Sequence, residues 1–303
     1  MEADPKFLVV VTGPTAVGKT ALAIKLATKL GTEIISADSR QFYKELKIGT
    51  AVPEPLQLQE VKHHFVQNLS IKSSFNVADF EQQALTLINE LHTMNPYVVV
   101  AGGSGLYIDA LCKGIDDFPD ADPDLRHSLN EQYEKFGIDY LRGQLKLLDP
   151  DYYNEVDLAN HKRLLRAIEV CIIAGQPYSS LRKNLLRPRS FKIIKIGLNL
   201  PRQELFERIA LRVDQMMAEG LEAEARSLYH LRHLNALNTV GYKELFSYFD
   251  GEISLDRAIE DIKTNTRRYA KRQLTWFARD ASIKWFTPYQ LDEILNFIAA
   301  SSV

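Results

Sequence analysis

Cysteine is almost missing from this 303-residue chain: Cys112 and Cys171 stand far apart and form no C-x-x-C pair. That scarcity argues against a structural zinc site and for a reducing compartment. No apolar run approaches the roughly 20 residues that a membrane helix needs, so no membrane association is expected. The chain passes almost directly from Met1 into an apolar run at Phe7, which leaves no room for a signal or transit peptide; a cytoplasmic protein is expected. An excess of one charge is also lacking. The formal net charge of −2 excludes neither RNA nor a small acid as partner, because local patches matter more than the total. With 46% hydrophobic residues, the chain has material for one large core or two moderate ones.

What is present begins with Gly13-Pro14-Thr15-Ala16-Val17-Gly18-Lys19-Thr20, a full match to G-x-x-x-x-G-K-[ST]. Phe7 to Val11 before it is a short, continuous, β-branched run that reads as a buried parallel strand. Leu22, Ala23, Leu26, Ala27 and Leu30 after it share one helical stripe. Strand, glycine loop and helix N-terminus together make an anion cradle of backbone N–H groups, to which Lys19 adds charge and Thr20 a hydroxyl suited to Mg²⁺. A polyphosphate ligand such as ATP or a diphosphate ester follows, and with it a P-loop α/β fold.

Gly31 ends that helix, and Glu33 to Ala37 read as the next parallel strand, which puts Asp38 at a strand's carboxyl end. An acid there, across a crevice from the P-loop, is placed to take a proton from an acceptor nucleophile; the alternative is a cap for a helix starting near Ser39. Tyr97 to Ala101 is a third strand, and it runs into Gly102-Gly-Ser-Gly-Leu-Tyr107 with no acid at its end. Many NTPases hold Mg²⁺ there with a carboxylate, so a motor or switch ATPase is disfavoured against a transferase that uses the P-loop as a phosphate holder. His63 and His64 are adjacent and point to opposite faces if extended, which makes a shared metal unlike them.

From Lys113 the character changes. A proline-punctuated acidic stretch, Asp116 to Asp124, leads into helical patterns that run to about Ala174. Lys162, Arg163 and Arg166 fall within one turn there, which by periodicity alone is a solvated basic face. Phe191 to Leu200 reads as a return strand, followed by a helix bearing Arg202, Arg208 and Arg212. These arginines are candidates to close over phosphates, or surface charges balancing Glu204, Glu207 and Asp214. Between Lys263 and Arg279 there is no acid, while Arg267, Arg268, Lys271, Arg272 and Arg279 interleave with Tyr269, Trp276 and Phe277. That mixture suits RNA, with charge for phosphates and flat faces for unstacked bases. The expected organisation is a P-loop NTPase-like parallel sheet flanked by helices (residues 1–112), a helical insertion (113–190), and a return strand with C-terminal helices (191–303).

Together with Ser36-Ala-Asp-Ser-Arg-Gln41, Ile48-Gly-Thr-Ala51, Val240-Gly-Tyr-Lys-Glu244 and Arg267 to Trp276, these motifs resemble the bacterial tRNA dimethylallyltransferases over nearly the whole chain. The resemblance implies transfer of a dimethylallyl group from dimethylallyl diphosphate to N6 of the adenine just 3′ of the anticodon, in tRNAs reading codons that begin with U. It implies Lys19 and Mg²⁺ on Thr20 at the leaving pyrophosphate, Asp38 as base, and Ser39, Arg40 and Gln41 around a flipped adenine. It further implies that the tRNA anticodon stem-loop is met by Ser104, Arg126, His161, Lys162, Arg163, Leu164 and Leu165 in the first part. Val240, Gly241, Tyr242, Lys243, Arg268, Lys271, Arg272, Gln273, Trp276 and Arg279 complete that set. Two positions depart from the family pattern: Ser104 replaces the usual Thr, and His161-Lys162 replaces Pro-Gln. A monomer is expected. The competing readings are a small-molecule kinase of the nucleoside or shikimate type, an isopentenyltransferase acting on free AMP, and an RNA-binding protein with a vestigial P-loop. None of these needs both an intact P-loop and a long basic–aromatic segment.

Overall fold

The computed structural model describes residues 5–183 and 186–302. Among them, six strands form one sheet: β1 (Phe7–Thr12), β2 (Ile34–Ser36), β3 (His63–His64), β4 (Tyr97–Ala101), β5 (Lys192–Leu198) and β6 (Lys284–Phe286). The order is β3-β2-β4-β1-β5-β6, and every pairing is parallel. β1 explains its own composition. Phe7, Val9 and Val11 face one core, with Val99, Ile194 and Ile196, while Leu8 and Val10 face the other, with Ile35, Val98 and Val100. Both faces are buried, so the strand is apolar from Phe7 to Val11 instead of alternating.

Helix Lys19–Leu30 covers the first face with Leu22, Ala23, Leu26 and Ala27, joined by Leu205 and Ile209 of helix Arg202–Ala218. Helices Val77–Leu91 and Gly105–Lys113 cover the second, through Phe80, Ala84, Ile88, Ile108 and Leu111. Each of the Leu, Ile and Phe side chains among these contributes about 1.5–3 kcal/mol by leaving water, so the two covered faces are the main cohesive term. A third core gathers Leu221, Ala225, Tyr242, Leu245, Phe246, Ala258 and Ile262 from helices Leu221–Leu228, Tyr242–Phe249 and Leu255–Phe277.

The strands end together. Val11 pairs with Ala101 and Ser36 with Ala101, so the P-loop, the Asp38 turn and the Gly102 turn leave the sheet at one edge. The chain's connections run to opposite sides of β1, and such a switch point is where open α/β sheets hold ligands.

The chain divides into two compact units: residues up to Cys112 with those from Arg189 onward, and Lys113–Pro188. Arg189 marks the return to the first unit. Its buried guanidinium bonds to Glu81 (2.6 Å) and to the carbonyls of Ala110 and Leu111. The second unit is helical: Pro123–Phe136, Ile138–Leu148, Pro150–Glu155, His161–Ala174 and Tyr178–Leu181 pack around Leu129, Leu141, Leu145, Leu164, Leu165 and Ile168. Two buried acids tie it together. Asp149 caps Tyr152 and accepts from both the N–H and the hydroxyl of Ser179, and Glu169 holds Arg126 and Arg166.

Candidate active site

The P-loop leaves β1 with Ala16 at φ 65° and Gly18 at φ 105°, and helix Lys19–Leu30 starts on Gly18. This turns the loop's amides and the helix's positive end toward one point. Lys19 reaches back so that its Nζ donates to the Pro14 carbonyl (2.8 Å). Burial pushes its amine down to about 8; nearby Asp38 opposes that shift and nearby Arg212 adds to it. Arg212 donates through Nη1 to Thr15 Oγ1 (3.3 Å), and burial lowers its guanidinium against the pull of Asp38. A P-loop lysine, an arginine from another helix and one carboxylate therefore share a single electrostatic neighbourhood.

Asp38 is not a helix cap. Its Oδ1 accepts from the Arg40 N–H (3.1 Å) within a turn, and no helix follows before Glu54. The Ser39 N–H donates to Ser104 Oγ (3.0 Å), and Gln41 Nε2 donates to the carbonyls of Thr50 and Ala51 (3.2 and 3.0 Å). These bonds knit the turns after β2 and β4 to the segment at residues 47–52.

A cleft of 890 Å³ opens over this edge, lined by Thr15, Ala16, Gly18, Lys19, Thr20, Asp38, Gln41, Arg208, Arg212, Tyr269 and Gln273 among others. Of the two candidate phosphate-closing arginines, Arg212 is turned to the P-loop. Arg208 also lines the cleft, with its Nη1 3.9 Å from where a Cβ on Gly18 would sit, but its Nη2 donates to the Tyr289 hydroxyl (2.6 Å) and its Nε lies 3.4 Å from Glu204.

Several residues grouped by sequence separate in space. Val17, Leu164, Leu165 and Tyr242 are buried in hydrophobic cores, so their side chains build the scaffold. Gly241 is buried and caps helix Tyr242–Phe249, whereas Lys243 beside it is exposed. Gln273 is buried too. Its Oε1 accepts from the Thr15 N–H and its Nε2 donates to the Gly103 carbonyl, both at 2.8 Å, so it clamps the P-loop to the turn after β4. Packing requires the glycines at 103 and 105: a Cβ on Gly103 would meet Gln273, and one on Gly105 the Trp276 ring. Arg268, Lys271, Arg272 and Arg279 are exposed, with Arg279 over the Trp276 ring at 4.2 Å, while Trp276 Nε1 donates to Asp109 (2.8 Å). In the helical unit Lys162 and Arg163 are exposed, His161 stacks on Tyr133 (5.0 Å), and Arg126 is half-exposed on the buried Glu169.

Sequence reasoning did not single out Tyr269 as a site residue. It lines the cleft, and burial followed by the charge of Asp38 pushes its phenol far up. Its place one turn before Gln273 on the same helix face was the available signal. His64 pairs with Glu33 and His63 Nδ1 bonds to the Val61 carbonyl. No group of three or more His, Cys, Asp or Glu able to hold a metal occurs among the described residues, nor any helix long and apolar enough to cross a membrane.

Sheet, P-loop and cleft define a P-loop NTPase-like α/β protein whose P-loop edge lacks an acid directly after β4 and carries one after β2. The comparisons narrow this class. The IPP transferase family model matches residues 41–280, and the chain belongs to that family. It is 54% identical over 286 residues to a tRNA dimethylallyltransferase of Azobacteroides pseudotrichonymphae, covering 94% of this chain and 93% of that one. The full-length tRNA isopentenylpyrophosphate transferase of Bacillus halodurans superposes with a TM-score of 0.71 at 38% identity, covering 98% and 97% of the two chains. A eukaryotic dimethylallyltransferase acting on tRNA superposes with a TM-score of 0.79 at 25% identity, covering 98% of this chain and 77% of that one.

Proposed function

We propose that this protein transfers the dimethylallyl group of dimethylallyl diphosphate to N6 of the adenine immediately 3′ of the anticodon, in tRNAs reading codons that begin with U. It does so as a cytoplasmic monomer. The observation that carries this reading is the convergence of the P-loop, Lys19, Arg212 and Asp38 on one cleft. The allylic C–O bond breaks, the C–N bond to N6 forms, pyrophosphate leaves, and the N6 proton passes to Asp38.

The P-loop, residues Gly13 to Thr20, binds the diphosphate through the backbone N–H groups from Ala16 to Thr20, while the Thr15 N–H is held by Gln273; Lys19 and Arg212 meet the charge that grows on the leaving oxygen. Asp38, acceptor-only when ionised, takes a hydrogen bond and then the proton from an amine that is otherwise a poor nucleophile. Ser39, Arg40 and Gln41 hold the adenine or its neighbours. Thr20, a hydroxyl in the cleft beside a diphosphate site, suits Mg²⁺, which keeps most of its water and needs few protein ligands. Bound there with the diphosphate oxygens, the ion would neutralise the departing pyrophosphate. The exposed Arg268, Lys271, Arg272 and Arg279, with Lys243, supply the backbone-phosphate contacts of the first unit; Lys162, Arg163 and Arg126 supply those of the helical unit.

The test is incubation of the purified protein with Mg²⁺, labelled dimethylallyl diphosphate and an unmodified anticodon stem-loop carrying A-A on the 3′ side. AMP replaces the RNA in one arm, and γ-labelled ATP the donor in another. Label is expected in the RNA alone. Label in AMP would move the reading to a free-nucleotide enzyme, and transfer of the γ-phosphate to a small acceptor would make it a kinase.

A further inference from the structure

Glu224, on helix Leu221–Leu228, is surrounded by donors that the reaction itself does not call for. Its Oε2 accepts from the N–H groups of Lys47 (3.1 Å) and Ile48 (2.9 Å), and its Oε1 from the Gly49 N–H (3.0 Å) and the Tyr242 hydroxyl (2.7 Å). Three successive backbone N–H groups converging on one anion make a nest, here filled by the protein's own carboxylate. Tyr242 is fully buried and serves as the floor: a Cβ on Gly49 would come within 2.6 Å of its ring, so the segment lies flat on the phenol only because residue 49 is glycine.

The restrained segment has work to do. Lys47, Ile48, Thr50, Ala51 and Val52 line the cleft, and Ala51 sits at φ 46°, a conformation that a non-glycine residue holds only when its surroundings impose it. The carbonyls of Thr50 and Ala51 accept from Gln41 Nε2, Gln41 Oε1 accepts from Ser36 Oγ (3.1 Å), and the Gln41 N–H closes the turn on the Asp38 carbonyl (3.2 Å). A continuous set of contacts therefore runs from Glu224 through residues 47–51 and Gln41 to the turn that carries Asp38.

We propose that Glu224 is a positioning residue for the transfer step: it fixes the 47–52 segment as the wall of the acceptor side of the cleft and, through Gln41, sets the orientation of Asp38. The proposal rests on the prenyl-transfer reading above. The donor side does not depend on it, because Lys19, Thr15 and Arg212 are held by the P-loop and by helix Arg202–Ala218.

The test compares Glu224→Gln and Glu224→Ala with Glu222→Gln, whose carboxylate pairs with Arg226 on the same helix (2.9 Å). Amide hydrogen exchange and steady-state prenyl transfer are read on the full chain. Exchange at residues 47–49 is expected to quicken by about tenfold or more, with β1 and helix Lys19–Leu30 unchanged. A misplacement near 1 Å costs about a hundredfold, so kcat is expected to fall roughly tenfold in Glu224→Gln, which keeps one acceptor, and about a hundredfold in Glu224→Ala. KM for dimethylallyl diphosphate is expected to stay within about threefold, and Glu222→Gln to behave as wild type. Faster exchange throughout the chain, a wild-type kcat beside a loosened segment, or a raised donor KM with kcat intact would each overturn the proposal. A wild-type protein without prenyl transfer would overturn the functional reading instead; the exchange data then decide separately whether Glu224 restrains the segment.

Discussion

Replacing Gln273 by alanine separates two accounts of the same residue. The resemblance to the tRNA dimethylallyltransferases implies a place among tRNA contacts, whereas its buried amide joins the Thr15 N–H to the Gly103 carbonyl. Alanine leaves both partners short of a hydrogen bond. A buried unsatisfied backbone group costs about 1–3 kcal/mol; Gly103 is buried and Thr15 partly open to water, so a loss of about 2–4 kcal/mol is expected. At about 2.1 cal/mol/K of unfolding entropy per residue, each kcal/mol lowers the midpoint of a 303-residue chain by roughly 1.6 °C, which sets the fall at about 3–6 °C. The freed P-loop also shifts relative to the diphosphate, and displacement near 1 Å costs about a hundredfold in rate. The assays are thermal unfolding, transfer kinetics with dimethylallyl diphosphate, and anisotropy with a labelled anticodon stem-loop. Stem-loop Kd is expected to hold within about threefold while stability and transfer both fall. An unchanged midpoint together with a Kd weakened by about tenfold or more would refute the clamp and return Gln273 to the RNA surface.

Three further outcomes follow from the cleft. Asp38→Asn removes the proton acceptor but keeps the shape, so single-turnover transfer should drop by about 10²–10⁴ while stem-loop Kd is kept; near-normal turnover would remove Asp38 from the mechanism. Lys19, lowered to about 8, is charged below that pH and neutral above it, so donor KM should rise through pH 8 and upward, with the break absent in Lys19→Arg. The same shift has a sign for stability: between about 8 and the ordinary 10.5 the unfolded chain binds more protons, so this group's contribution rises with pH and cannot cause a loss in that window. Arg212→Lys gives up two-pronged phosphate recognition and should raise donor KM about tenfold; Arg208→Lys, whose guanidinium is engaged by Tyr289 and Glu204, should change it by less than about threefold. Equal effects of the two would show that side-chain engagement in the free protein does not select the phosphate-binding arginine.

What was legible in the sequence followed from local physics. A strand buried on both faces must be apolar throughout, so Phe7 to Val11 announced itself, and a phosphate cradle needs glycines and a lysine at fixed spacing. Asp38 could be placed at the mouth because strand ends in parallel sheets share an edge. Other features depend on distant residues and leave no local pattern. β6 is three residues long, Lys284–Phe286, too short to show alternation, and it exists because β5 offers it an edge. Glu224 lies 175 residues from the Gly49 N–H it accepts from, and its neighbours on helix Leu221–Leu228 suggest an ordinary solvated acid.

Helix Leu255–Phe277 shows why charge pattern alone does not tell a helix's two faces apart. Its basic run is real and its Arg268, Lys271 and Arg272 are exposed, yet Ala270, Gln273 and Phe277 on the opposite side are buried. At 3.6 residues per turn, residues 269, 273 and 276–277 return to one face while 268, 271 and 272 keep to others, so one continuous motif is two surfaces. The inner one touches the P-loop through Gln273 and the cleft through Tyr269; the outer one carries the cations. A polyanion on the outer face would therefore lie on the same helix whose inner face holds Thr15 and Gly103 through Gln273, and the Gln273→Ala variant removes those two bonds while leaving the exposed cations in place.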